Sequence, residues 1–298
     1  MRTDTTVNVQ PVLRAGSATR VPFFASRGAA GWLWSGVVLA VLAVIMFLPI
    51  IWMIAGGFKT EAEVTQIPPV LFPEVWHWDN FAYVVATSPI GSGYVNSAIY
   101  VCAIVIIQVT TSTIGGYVFA KLRFPGQNLL LIGILATLMI PPFLIQIPLY
   151  VIMVDLGWLN SYAALIVPAM FTAFGIFLMR QFILGVPHDY IESARLDGCG
   201  EFRVIAQIVF PLVREPAAAL AILIFLYHWN DLFWPLLVMR QQSAYTLSQA
   251  LYYLHGAYGT NYHLKLAAAA LVVIPPIVVY LIAQKQIMRG VALTGVKG

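Results

Sequence analysis

The sequence predicts an all-α integral membrane protein with six transmembrane helices. Charged residues make up only 9% of the 298 residues, against about 25% in soluble proteins, and the mean hydropathy is +0.85. Several long runs contain no Asp, Glu, Lys or Arg, and a helix of about 20 apolar residues crosses the hydrocarbon core. Such runs form helices because backbone groups in lipid must be paired within the segment.

The apolar runs place the six helices near 30–56, 95–120, 128–151, 158–181, 217–238 and 264–285. The fifth helix carries polar residues in its second half. Pro141-Pro142 and Pro275-Pro276 are predicted to break their helices, because proline lacks the backbone N–H and clashes with the preceding turn.

Three segments follow from this pattern. Residues 1–29 form an N-terminal tail without clear periodicity, which we predict to be disordered. Residues 30–285 form the transmembrane domain, and residues 286–298 form a C-terminal tail. The first apolar run is too long for the core of a cleavable signal peptide, which has about 7–15 residues.

The charge distribution predicts that both termini lie in the cytoplasm. With six spans, the cytoplasmic segments hold all but three of the 16 Lys and Arg residues, and the outer segments keep only Lys59, Arg240 and Lys265. Short basic loops translocate poorly, so this asymmetry sets the orientation. We therefore predict a multi-pass protein of the plasma or inner membrane.

The longest cytoplasmic loop, 182–215, has the pattern of two short helices. Asp189 is predicted to cap the first, with Glu192 three positions later, where a carboxylate is favoured. Gly198 can end that helix in the left-handed conformation, and Pro211 is predicted to end the second. The second helix has an apolar stripe formed by Phe202, Ile205, Ala206 and Val209.

Small residues in this loop, Ser193, Ala194 and Gly198, would let another surface approach closely. Together with the amphipathic second helix they indicate a docking element. The alternative is a pair of interfacial helices lying on lipid headgroups. The residues by themselves leave both interpretations open.

The loop also carries a resemblance to a known family. Permease subunits of bacterial ABC importers share the pattern Glu-Ala-Ala, three residues, Gly, nine residues, Ile-x-Leu-Pro. Here Glu192-Ser193-Ala194 is followed by Gly198 and then by Ile208-Val209-Phe210-Pro211 at the same spacing, with Ser193 and Phe210 as the departures. From about Trp32 onward the chain resembles the carbohydrate-uptake class, and within it the G subunit of the maltose system.

Further matches to the same family lie along the chain in order. Each is weak alone, and together they are specific. They include Gly57-Phe58-Lys59, the run 120–126, Arg180-Gln181-Phe182, Trp229-Asn230-Asp231 with Pro235, and the tail from Gly290 to Gly298.

The resemblance implies a type I ABC importer transmembrane domain with a MetI-like fold. It implies a heterodimer with a second, homologous permease, two ATPase subunits and an extracytoplasmic sugar-binding protein. It also implies that the loop docks in a cleft of an ATPase, where Glu192 would pair with a basic residue. The residues implied in docking are Glu192, Ser193, Ala194, Asp197, Gly198, Ile208 and Pro211, and a C-terminal contact is implied for Gly295, Lys297 and Gly298.

The chain is predicted not to be an enzyme. No Gly-x-x-x-x-Gly-Lys-Ser/Thr segment is present, and a P-loop needs it to cradle phosphates. We therefore expect no cofactor on this chain, with ATP and Mg²⁺ bound by the partner ATPases. We also expect no metal, because no metal-type Cys/His spacing occurs, and no nucleic acid, because the excess of basic residues follows from the membrane topology.

Trp229, Asn230 and Asp231 are candidates for the translocation path, because polar and ionisable groups within a span are costly and often functional. Trp229 could stack on a sugar ring, and the alternative is a packing cluster. His228 and Asp231 share a helix face and could pair. The outer loop offers candidate contacts with the binding protein at Tyr252, Tyr253, His255 and Tyr258; alternatively its tyrosines hold it at the interface.

The predicted function is ATP-driven import of a sugar or sugar-like solute. No Lys or Arg falls deep in any span, which favours a neutral sugar over a phosphorylated one. The alternative is a secondary transporter with His228 and Asp231 as a proton relay, which leaves the loop around Glu192 unexplained. A membrane-embedded enzyme has no supporting acid pair, nucleophile or metal-ligand set.

Overall fold

The structure is a computed structural model that describes residues 29–257, 259 and 261–295, with side chains over 33–254, 256, 259 and 261–284. These residues form helices and loops, with no strand among them. The chain divides after Pro49 into two compact units. The described part of the first unit is the beginning of one helix, and the second unit holds all later elements.

The helices follow one another closely along the chain. The first eight are α1 (Ala29–Gly56), α2 (Glu61–Thr65), α3 (Asp79–Thr87), α4 (Ile90–Lys121), α5 (Gln127–Ala136), α6 (Pro142–Asp155), α7 (Tyr162–Ile166) and α8 (Ala173–Leu184). The others are α9 (His188–Leu196), α10 (Glu201–Val204), α11 (Phe210–Leu212), α12 (Arg214–Trp229), α13 (Phe233–Val238), α14 (Leu247–Ala257) and α15 (Tyr262–Gly295). Short 3-10 turns lie at Thr137–Met139, Val167–Ala169 and Gln242–Ala244, and a π turn lies at Ile205–Val209.

The described residues contain up to six candidate membrane spans. Within α1, α4 and α15, the stretches Leu33–Gly56, Ile90–Lys121 and Tyr262–Gln284 are each long and apolar enough to cross a membrane. Three more spans are pairs of helical segments that are bent by 97°, 46° and 86°. The first two pairs are α5 with α6 and α7 with α8, and the third runs from α10 to α12. The predicted fifth helix, 217–238, is therefore not continuous: α12 ends at Trp229 and α13 begins at Phe233.

The two Pro-Pro pairs behave differently. Pro141-Pro142 breaks its helix as predicted, because the segment before it ends at Met139 and α6 begins at Pro142 after a 97° bend. The prediction for Pro275-Pro276 is wrong, because α15 continues through both prolines to Gly295. A membrane helix tolerates proline where neighbouring helices support it, and α15 packs along α12 and α14.

Helix α4 is the centre of the second unit. It packs along α8 and also contacts α12 and α14. Glycines bring α4 and α8 together: a Cβ added at Gly116 would lie 2.8 Å from the backbone nitrogen of Arg180, and one at Gly175 would lie 2.2 Å from Ser112 Oγ. Small residues allow such close backbone approach, which gives membrane helices their packing energy.

Candidate functional site

Helix α9 opens the segment between α8 and α12, residues 185–213, which is called the α8–α12 loop below. The predicted cap at Asp189 is wrong: α9 begins at His188, directly after Pro187, and has no side-chain cap. The fixed φ of proline suits the residue just before or at a helix start. Asp189 instead lies in the first turn, where the helix dipole favours its carboxylate.

Gly198 ends α9 in the left-handed conformation, with φ +79°, as predicted. The N–H of Cys199 donates to the carbonyl of Ala194 at 2.9 Å, and the N–H of Gly198 donates to that of Arg195 at 3.0 Å. These two bonds form a Schellman motif, which satisfies the last carbonyls of the helix. The turn that separates α9 from α10 is therefore well defined.

The second half of the loop differs from the predicted amphipathic helix. Val204 and Val209 are buried, whereas Phe202 and Ala206 are exposed. The predicted stripe assumed 3.6 residues per turn, and the π turn at Ile205–Val209 follows a wider i→i+5 pattern. The helix also passes Pro211 and ends at Leu212, so the predicted end at Pro211 is one residue short.

The predicted docking residues divide between two faces. Glu192, Ser193, Asp197 and Gly198 are exposed together. Ala194 is buried with Ile191 in the core of the chain itself, so its small size serves internal packing. Ile208 is half-buried and Pro211 is exposed on the later part of the loop.

Two large apolar side chains on the exposed face are not among the predicted docking residues. Leu196 is 89% exposed and Phe202 is 79% exposed, and they stand on either side of the turn at Gly198. The sequence predicts Phe202 as part of an apolar stripe, and neither that stripe nor the family pattern includes Leu196. The sequence signal that could have identified Leu196 is its position as an apolar residue at the end of the short, otherwise mostly polar helix α9.

A polar cluster attaches this loop to α4. The guanidinium of Arg195 donates from Nε and Nη2 to Glu201 Oε1, both at 2.9 Å, and Nη2 lies 3.3 Å from the Tyr117 hydroxyl. That hydroxyl donates to Glu201 Oε2. Burial opposes the charged form of Arg195, but the neighbouring Tyr117 and Glu201 outweigh it and raise the pKa of the guanidinium.

Trp229, a candidate for the translocation path, is a packing residue in this structure. It is 5% exposed, its indole N–H donates to the carbonyl of Val272 at 3.2 Å, and its ring stacks on Phe225 at 5.3 Å. The face that would stack on a sugar is therefore occupied. Asn230 is exposed and Asp231 is half-buried, so these two remain candidates.

His228 lies in a buried cluster with Tyr100 and Gln108 of α4. The amide nitrogen of Gln108 donates to the carbonyl of Ala169 and approaches His228 Nε2 at 3.2 Å, so Nε2 is the acceptor. The imidazole proton is then on Nδ1, which lies 2.6 Å from the Tyr100 hydroxyl. Asp231 instead accepts from backbone N–H groups at the start of α13, so the structure does not form the relay pair.

The candidate contacts for a binding protein lie on α14. Tyr252 and Tyr253 are 54% and 45% exposed, and Tyr253 stacks on Tyr245 with centroids 4.8 Å apart. Tyr258 and the side chain of His255 lie outside the described residues. At the other end, Gly295 is the last residue of α15, and Lys297 and Gly298 lie outside the described residues.

Residues 112–293 match the family described as the inner membrane component of binding-protein-dependent transport systems. The chain belongs to this family. The matched range runs from the last part of α4 nearly to the end of α15 and includes the α8–α12 loop. The implied recognition as an ABC importer permease is confirmed.

Two curated relatives place the permease among importer subunits. It is 31% identical to the arabinooligosaccharides transport system permease protein AraQ of Halalkalibacterium halodurans, over 87% of this chain and 94% of that protein. It is 32% identical to the diacetylchitobiose uptake system permease protein NgcG of Streptomyces coelicolor, over 87% and 86%. A crystal structure of a bacterial ABC transporter that imports alginate matches with a TM-score of 0.77 and 24% identity, over 89% of the permease and 99% of that chain. This likeness confirms the predicted fold class.

Proposed function

We propose that this permease is one transmembrane subunit of an ATP-driven importer that moves a sugar into the cytoplasm. It would work with a second, homologous permease, two ATPase subunits and an extracytoplasmic sugar-binding protein. The family description supports the binding protein, and the names of AraQ and NgcG support an oligosaccharide. The sequence has no P-loop, so ATP hydrolysis is assigned to the partners.

A neutral cargo fits the buried cations of the described residues. Lys59 and Lys121 are both almost fully buried. Lys59 donates to the carbonyl of Val70, and Lys121 donates to the carbonyl of Val186 at 2.5 Å. Neither ammonium group is free to bind a phosphate or carboxylate, which supports an uncharged sugar.

Docking of the ATPase rests on one observation above the others: Leu196 and Phe202 are exposed on either side of the Gly198 turn, next to Glu192. Exposed apolar side chains with polar neighbours mark interaction sites. Glu192 would add a charge-assisted contact with a basic residue. Gly295, Lys297 and Gly298 would contribute a second contact from the C-terminal tail.

The docking proposal is tested by co-purification of the ATPase subunits with the assembled permease pair. Leu196→Asp should lose about 2 kcal/mol of burial and weaken association roughly 30-fold. Leu196→Met is the matched control and should bind like the wild type. Glu192→Ala and Gly198→Asp should also weaken association or uncouple uptake. Wild-type association in Leu196→Asp, Glu192→Ala and Gly198→Asp would refute docking through this face and favour a loop that lies on lipid headgroups.

The proposed orientation places both termini and the α8–α12 loop in the cytoplasm. It is supported by the placement of all but three of the Lys and Arg residues on that side. The loop then faces the compartment that holds ATP, and Tyr252 and Tyr253 face the side from which a binding protein delivers sugar.

A further inference from the structure

The last two turns of α4 hold the α8–α12 loop at two points. Tyr117 and Lys121 are four residues apart and therefore share one face of the helix. Both side chains are buried, at 1% and 7% exposure. The polar atoms of both side chains nevertheless form hydrogen bonds with the loop, each with a different part of it.

The first point of attachment is the Gly198 turn. Tyr117 donates to one carboxylate oxygen of Glu201, and Arg195 binds the other at 2.9 Å. Arg195 belongs to α9 and Glu201 begins α10, so their ion pair closes the turn between these two helices. Bonds to ionised groups are the stronger hydrogen bonds. The turn and the end of α4 are thus joined through one carboxylate.

The second point of attachment is the end of α8. Lys121 Nζ donates to the carbonyl of Val186 at 2.5 Å and lies 3.4 Å from that of Leu184. A buried ammonium group is costly unless it is hydrogen-bonded, and these carbonyls have no partner further along the helix, because α8 ends at Leu184. The bond therefore stabilises both groups and fixes the entry to α9.

We propose that Tyr117 and Lys121 are positioning residues that make α4 follow any movement of the α8–α12 loop. Because α9 is attached before its start and after its end, it cannot shift without moving the end of α4 or breaking one of these bonds. Further along, α4 is bonded to His228 through Gln108 and Tyr100, so its movement reaches α12. This inference rests on the proposed docking of the ATPase to the loop.

The test uses the complete transporter in nanodiscs and a fluorophore on Cys102, an exposed native cysteine of α4, in a Cys199→Ser background. Addition of Mg-ATP should change the emission of the fluorophore in the wild type. Tyr117→Phe combined with Lys121→Met removes both attachments. It should reduce this change at least roughly tenfold, because one charge-assisted hydrogen bond alone is worth about a factor of ten. The ATPase subunits should stay bound and hydrolyse ATP.

Three further variants control for general damage to the structure. Thr110→Val removes a hydroxyl from α4 that donates only to its own helix, at Ile106 O, and should leave the signal unchanged. Lys121→Arg keeps a hydrogen-bond donor at this position, so this variant should retain most of the ATP-induced change in emission. Arg195→Gln lies at the exposed edge of the cluster and should reduce the signal even if the double variant is not produced.

A full ATP-induced change in the double variant, or in Arg195→Gln if the double variant is not produced, would overturn the inference. So would a wild-type transporter in which ATP leaves the Cys102 signal unchanged. Loss of bound ATPase in the double variant would also overturn it, because Tyr117 and Lys121 would then shape the docking surface. Failure of the proposed function is distinguishable, because in that case the wild-type permease retains no ATPase.

Discussion

Replacing Gly116 with alanine should destabilise the contact between α4 and α8. The added Cβ would lie 2.8 Å from the backbone nitrogen of Arg180 and 2.9 Å from the carbonyl carbon of Met179. Backbone atoms of a packed helix cannot rotate away as a side-chain tip can, so the two helices must separate. Overpacking of this kind costs about 1–3 kcal/mol, which lowers the unfolding midpoint of a chain of this size by about 2–12 °C.

The midpoint can be measured on the detergent-solubilised permease as loss of the monodisperse chromatographic peak after heating. The matched control is Gly133→Ala in α5, where an added Cβ meets nothing within 4 Å. Alanine is favoured over glycine within a helix by about 0.5–1 kcal/mol, so this control should be unchanged or slightly more stable. A Gly116→Ala midpoint equal to that of the wild type would refute the idea that backbone contact fixes this helix pair.

Two other predictions concern orientation and pH. In a Cys102→Ser, Cys199→Ser background, Arg240→Cys should react with a membrane-impermeant maleimide in intact cells and Asp197→Cys only in opened cells; the reverse pattern would mean that the topology is inverted. Backbone N–H groups that donate to Glu63 lower the pKa of its carboxyl below 4.5. Its contribution to stability is therefore full above pH 4.5 and disappears as the pH falls through the lowered pKa. The unfolding midpoint of the wild type should exceed that of Glu63→Gln above pH 4.5, and this difference should shrink as the pH falls through the lowered pKa. A difference that stays constant with pH would contradict the prediction.

Local signals in the chain were sufficient to locate the apolar spans and the turn of the loop, but not the interruptions between α7 and α8 and between α12 and α13. Apolar runs located the membrane spans because the bilayer fixes their length. Gly198 was recognised as a helix end because left-handed backbone is unfavourable for residues with a Cβ. The family pattern around Glu192 then connected this loop to a transport system, and that recognition was correct.

The sequence was not sufficient where the same local pattern can adopt two structures and tertiary contacts decide between them. Pro141-Pro142 and Pro275-Pro276 are the same dipeptide, yet only the first interrupts its helix. The buried face of the loop followed a π turn, which periodicity cannot reveal. For Trp229 the sequence left two interpretations open, stacking on a sugar or packing, because its partner Val272 comes from a helix far along the sequence.

The hydrogen bonds of His228 have an electrical consequence. Both of its ring nitrogens are engaged by Gln108 and Tyr100, in a pattern that fits a neutral imidazole. Moving one elementary charge across the membrane costs or yields about 2.3 kcal/mol per 100 mV. A neutral cluster at the junction of α4 and α12 exchanges none of this energy with the membrane potential. Any voltage dependence of a movement of α4 against α12 therefore comes from charged side chains on or beside these helices, such as Lys121 and Asp231, and not from His228.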